Sequence, residues 1–197
     1  MLDRFLDALT GRRLGGALFV LGGLIVAGAV IWGTGGDDGD DEGKPAVQRA
    51  RIVSVPELGL TFAYPRTWRS STQGRVITLR SPDRSSILTF ASPVQGRQRP
   101  AVRAALEEGL RERFKPAKIV SRRAGKLGQH PVTTFELRGV GPNKKAIRAL
   151  ALVGDTDYRT YAVTLITPSR PSAKRLDEAR QIFRTVRFTV PQQRKRG

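Results

Sequence analysis

Gly59-Leu60-Thr61-Phe62-Ala63-Tyr64-Pro65-Arg66-Thr67-Trp68 is the stretch on which the architecture turns. Leu60, Phe62 and Tyr64 alternate with smaller residues, and a period of two means a strand with one buried face. Pro65 has no N–H to give to a ladder, so the strand stops there and the chain turns, leaving Trp68 to cover the strand end. Just upstream, Ile52, Val53 and Val55 make a short strand ended by Pro56.

Downstream, RVITLR (75–80) and SILTFA (86–91) flank the turn Ser81-Pro82-Asp83-Arg84 and read as a hairpin. Pro100 opens a helix running to about Phe114, with Val102, Leu106, Leu110 and Phe114 as a core-facing stripe beside Ala105. Its other face carries Arg103, Glu107 and Arg111, with Glu107 and Arg111 spaced as an i,i+4 pair, and Pro116 stops it. Ile119 and Val120 begin another strand, residues 125–131 are turn-like, Val132 to Arg138 returns, and Gly139 to Asn143 punctuates. Residues 146–153 and 158–167 around Gly154-Asp155-Thr156-Asp157 give the strongest hairpin signal, so these two strands are expected to be neighbours. A last helix is expected from about Ser169 and Pro171, with Leu176, Ala179, Ile182, Phe183 and Val186 at helical spacing.

The strand Gly59, Phe62, Tyr64, Pro65 followed by Trp68 resembles the opening signature of the PsbP-like and Mog1-like superfamily. The close, Ile182 to Phe188, resembles that of PsbP-like and LpqN-like exported bacterial domains. The resemblance spans roughly residues 51–190 and implies an α+β fold, an α/β/α sandwich around a central, mainly antiparallel sheet. It implies no shared activity, because the superfamily includes photosystem accessory proteins, a Ran-binding protein and bacterial proteins of unknown role.

Ahead of this domain, Leu14 to Trp32 (LGGALFVLGGLIVAGAVIW) runs nineteen residues without a charge. As a helix it would be about 28 Å long, close to the ~30 Å hydrocarbon thickness of a bilayer. Leu14, Phe19, Leu24, Ile25 and Ile31 make it apolar on every face, and Trp32 stands where an interfacial aromatic belongs. Arg12 and Arg13 precede it and set the orientation, with residues 1–13 cytoplasmic and the rest outside, a single-pass signal anchor in the plasma membrane. The alternative is a signal peptide cleaved near Ala27-Gly28-Ala29, which exports the same domain as a secreted protein. Residues 33–50, Gly-rich and acidic, form a flexible linker, and residues 191–197 a basic tail. The chain has no cysteine, so neither disulfides nor lipid attachment through a cysteine is open to it.

From Lys44 onward the chain carries 32 basic against 10 acidic side chains, a formal +22. That field attracts polyanions. Nucleic acid is disfavoured as partner, since an exported domain seldom meets it and no helix-turn-helix, zinc-finger or RNP-like pattern is present. Anionic lipid headgroups, acidic envelope polymers or a protein partner fit better. Arg outnumbers Lys 27 to 8, however, a bias that base composition of the coding sequence produces without any ligand.

Chemistry is not marked. His130 is the one histidine, expected in a turn between Gln129 and Pro131, and has no cysteine partners for a zinc cage. Asp155 and Asp157 are the least implausible acid–base pair, but aspartates in hairpin turns serve backbone geometry. Asp177 and Glu178 are expected to face solvent from a helix. No G-x-S-x-G, Walker A or dinucleotide fingerprint occurs, and no catalytic, cofactor or metal site is assigned. The expectation is a non-catalytic, membrane-anchored extracytoplasmic binding or accessory module. The alternatives are an exported carrier of lipid-like small molecules or hydrolase with a cleft between helix and sheet, and a nucleic-acid-binding protein.

Overall fold

A computed structural model of the protein describes residues 50–190. The expected anchor, all but the last residue of the linker, and the basic tail lie outside the described residues. Among the described residues no helix is long and apolar enough to cross a membrane.

β1 (Ala50–Val55) leads through a 3-10 turn, Pro56–Leu58, into β2 (Leu60–Pro65). Gly59 links turn to strand at φ +61°, a left-handed conformation that glycine adopts without a steric cost. In β2 the alternation is realised in full, with Leu60, Phe62 and Tyr64 buried and the residues between them half-buried. Trp68 N–H donates to the Pro65 carbonyl at 3.0 Å, and the chain reverses into β3 (Arg69–Gln73). The sequence reading missed β3, because its five residues are polar and all exposed and show no apolar period.

β4 (Val76–Arg80) and β5 (Ile87–Gln95) form the expected hairpin. β5 runs four residues beyond Ala91 through a bulge at Ser92 and Pro93, both of which stand opposite Tyr161. α1 (Arg99–Arg113), with Pro100 in its first turn, buries Val102, Leu106 and Leu110 and is followed by the buried Phe114. β6 (Ala117–Leu127) and β7 (His130–Val140) then form a hairpin much longer than the turn signals implied. Residues 125–131 are not a loop: Gly125 pairs with Val132, Lys126 with Pro131 and Leu127 with His130, and only Gly128 and Gln129 turn. A left-handed Gly128, φ +59°, makes so tight a reversal feasible. β8 (Ala146–Asp155) and β9 (Arg159–Pro168) are neighbours, as their turn predicted.

α2 (Ala173–Thr185) starts later than expected. Pro168 still belongs to β9, and Ser169 N–H donates to the Ala146 carbonyl at 3.0 Å, so Ser172 caps the helix instead, its Oγ accepting from Arg175 N–H at 3.3 Å. β10 (Arg187–Phe188) returns to pair with β2.

All these pairings are antiparallel and divide into two sheets, β3-β4-β5-β9-β8-β7-β6 and β1-β2-β10. α1 packs on one face of the large sheet, over Phe135, Leu137, Ala149, Ala151, Val153 and Ala162. The opposite face, with Ile77, Leu79, Leu88, Phe90, Val163 and Leu165, is covered by β2 and by Ala179 and Ile182 of α2. The result is an α+β sandwich, with one correction to the simple α/β/α picture: one outer layer is α2 alongside a three-stranded sheet. β2 cannot join the large sheet because its partners on either side are already β1 and β10.

Candidate functional site

The signature residues form the core, not a site. Phe62 stacks on Phe90 with ring centroids 4.4 Å apart, and Tyr64 Oη lies 2.9 Å from Ser70 Oγ. Trp68 is 1% exposed and its indole N–H donates to Glu178 Oε2 at 2.8 Å. The same oxygen accepts from Arg175 at 2.7 Å, and Arg175 Nε donates to Asp83 Oδ2 at 3.0 Å, so the chain Trp68–Glu178–Arg175–Asp83 ties the signature to α2 and to the β4–β5 turn. Glu178 therefore does not face solvent as expected; Asp177 does, and pairs with Arg180 at 2.8 Å. Glu107 likewise forms its ion pairs with Arg122 of β6 at 2.7 Å and with Arg103 at 3.9 Å, in place of the expected pair with Arg111.

Burial pushes the Asp83 carboxyl up, but hydrogen bonds from Ser81, the Ser85 backbone, Arg175 and the Ser85 hydroxyl outweigh it and hold it at about 2, down from 3.8. A depressed carboxylate stabilises the fold above its unfolded value, and this contribution is lost as pH falls through the folded one. Because 46% of the Asp83 side chain is exposed, screening leaves about 1 kcal/mol of it. The unfolding free energies of wild type and Asp83→Asn should differ by that amount at pH 5 and converge by pH 2; a gap unchanged at pH 2 would contradict the assignment.

His130 opens β7, not a turn, and lies edge-on to Phe188 with centroids 5.1 Å apart. Asp155 accepts from Thr160 Oγ1 at 2.6 Å and lies 3.8 Å from Arg99, while Asp157 pairs with Arg97. The two aspartates thus hold the loop before α1 against the β8–β9 turn. The recess lined by Leu127, His130, Val132, Leu152, Tyr161 and Phe188 encloses only ≈ 10 Å³, room for about one water, so it does not seat a lipid-like ligand. Among the described residues, no three His, Asp or Glu side chains gather as metal ligands.

The arrangement with chemical content is a row of cations on the large sheet. Lys118 of β6 stands opposite Arg138 of β7, and Arg138 opposite Arg148 of β8, so three basic side chains lie abreast on the face away from α1. Arg123, two residues past Ser121, lies on the same face. Like charges directly opposed in a sheet are destabilising. Glu136, 8% exposed, is the carboxylate among them, accepting from Arg148 at 2.8 Å and from Arg138 at 3.4 Å. Lys118, Arg123 and Arg138 are exposed.

Sequence reasoning missed this row. A bulge between Ile119 and Ser121 shifts the register of β6, so that Lys118 and Arg122, of equal parity, point to opposite faces. The only local hint was Arg148, alternating with alanine and leucine in AIRALALV.

No family model matches the chain, and no curated protein matches it by sequence. Solved structures do. CyanoP, the cyanobacterial PsbP of Synechocystis sp. PCC 6803, is 17% identical with a TM-score of 0.51, over 80% of this chain and 99% of its own. A protein from Bacteroides thetaiotaomicron is 16% identical with a TM-score of 0.53, over 72% of this chain; the match spans about half (49%) of that protein's length. These likenesses define the class by fold: the domain is a PsbP-like α+β sandwich.

Proposed function

We propose that this chain is a non-catalytic binding or accessory module that offers the Lys118–Arg138–Arg148 row to an anionic partner at the cell envelope, where its N-terminal segment tethers it. The observation that carries the reading is the register itself. Three cations abreast across three strands share the single carboxylate of Glu136, and a bound polyanion relieves the repulsion that remains. The +22 formal charge from Lys44 onward supplies long-range attraction, and the row supplies a place for it to act.

The test keeps Arg148, because Glu136 is buried and removing its closest cation would strand a carboxylate. Full-length protein in neutral detergent is eluted from a sulfated-polysaccharide matrix by salt, and Lys118→Gln/Arg138→Gln is compared with the charge-matched Arg51→Gln/Arg66→Gln. The row variant should elute at clearly lower salt, with the slope of log affinity against log salt reduced by about two, while the control moves little. Equal shifts in both would show that only overall charge matters and would overturn the row.

A further inference from the structure

The start of β9 carries a second basic feature that the row does not use. The Nε and Nη1 atoms of Arg159 are buried and have no hydrogen-bond partner, and the same is true of the Ser92 hydroxyl. All other buried arginine nitrogens of this kind among the described residues belong to Arg80 and Arg148, which have partners through other atoms or contacts. A guanidinium with desolvated N–H groups ordinarily finds a carboxylate, since orphaned buried donors are costly. Neither carboxylate of the adjacent turn serves, because Asp155 is taken by Thr160 and Arg99 and Asp157 by Arg97. What lies nearby is another cation: burial first, and then the positive charge of Arg75, pull the Arg159 guanidinium below its ordinary value.

The backbone brings these groups together. Arg159 pairs with Gln95, just past the bulge in β5, and the bulge residues Ser92 and Pro93 stand opposite Tyr161, which shares the face of Arg159. Ser92 N–H donates to the Arg75 carbonyl at 3.3 Å, fixing the β3–β4 turn beside the bulge. The Tyr161 hydroxyl donates to the Leu58 carbonyl, so its proton is already committed. The backbone of Arg159 is fastened by Thr156, whose N–H donates to the Arg159 carbonyl at 2.8 Å, so the side chain is the part left without a bond. Bulges re-aim side chains in this manner next to binding sites.

We infer that Arg159, Arg75 and the Ser92 hydroxyl form a binding site for a phosphate group, with Arg159 supplying buried donors, Arg75 a second charge at the mouth, and Ser92 a further hydrogen bond. Two arginines on either side of β5, with no carboxylate of the adjacent turn left to serve them, match a doubly charged oxyanion better than a carboxylate or chloride. The site is separate from the Lys118–Arg138–Arg148 row and stands whether or not that row binds a polyanion. The phosphate arrives either free or as the phosphomonoester headgroup of an anionic phospholipid.

Calorimetric titration of the full-length protein in neutral detergent, with inorganic phosphate in one arm and a soluble short-chain phosphatidic acid in the other at matched ionic strength, separates the two sources. Binding in either arm, weakened at least tenfold by Arg159→Gln and less by Ser92→Ala, is the expected result, and the arm that responds identifies the source. No heat in either arm up to 50 mM ligand (about the weakest affinity of interest), or binding that survives Arg159→Gln, would overturn the site. Because the Arg159 side chain makes no hydrogen bond and its orphaned donors cost stability, Arg159→Gln should unfold no lower than wild type without phosphate and lose only the stabilisation that phosphate adds. Row variants Lys118→Gln/Arg138→Gln should titrate like wild type, which keeps failure of the row distinguishable from failure of this site.

Discussion

Trp68→Ala should lower the unfolding free energy by about 3–5 kcal/mol in denaturant titration, the range for deleting a fully buried large aromatic side chain. Trp68 is 1% exposed and packs in the cluster of Phe62, Leu79, Leu88 and Ile182, so truncation leaves a cavity where the large sheet, β2 and α2 meet. The indole N–H is also lost to Glu178. Glu178 keeps Arg175 as partner, which limits the electrostatic part, so Trp68→Phe should cost less than half as much as Trp68→Ala. If the alanine variant loses under 1 kcal/mol, Trp68 does not join the layers as described.

Gly139→Ala should cost about 3 kcal/mol, although it adds a single methyl group. A Cβ at Gly139 would sit 2.4 Å from the Phe114 carbonyl oxygen and 2.9 Å from Phe114 Cβ. That carbonyl cannot swing aside freely, since it accepts the Val140 N–H at 3.2 Å, and Gly139 is itself held between Ala117 and Ile147 in the ladder. Overpacking of this kind costs about 1–3 kcal/mol, and loss of the Val140 hydrogen bond adds about 1. Gly74→Ala is the control: it sits at φ +55° with nothing within 4 Å of a new Cβ, so only backbone strain of about 1 kcal/mol is expected. Equal losses for the two variants would show that close packing at Gly139 is not the cause.

Much of the fold is legible along the chain because burial there follows local period. Leu60, Phe62 and Tyr64 announce β2, and Val102, Leu106 and Leu110 announce α1. The Gly154–Asp157 turn places β8 beside β9. β3 was invisible because an exposed edge strand such as RSSTQ needs no apolar side chain. Glu178 escapes a sequence reading because helical spacing says which face a residue occupies, not that a tryptophan from 110 positions earlier reaches it. Glycine and proline usually break strands and so suggest a turn around His130, whereas Gly125 and Pro131 lie within an edge hairpin.

The candidate sites were less legible than the fold. Composition alone determined that the domain is basic, and alternation alone determined the buried strands and the helices, since both depend only on neighbours in the chain. Which cations stand together was decided by tertiary structure. The bulge at Val120 turns Lys118 to the side of Arg138 and Arg148 and leaves Arg122 facing α1, while the bulge at Ser92 and Pro93 sets both residues opposite Tyr161, two positions along β9 from Arg159. Strand register is settled by pairing between segments far apart in sequence, and a shift of one residue exchanges the two faces of a sheet, so no reading of a single strand can supply it.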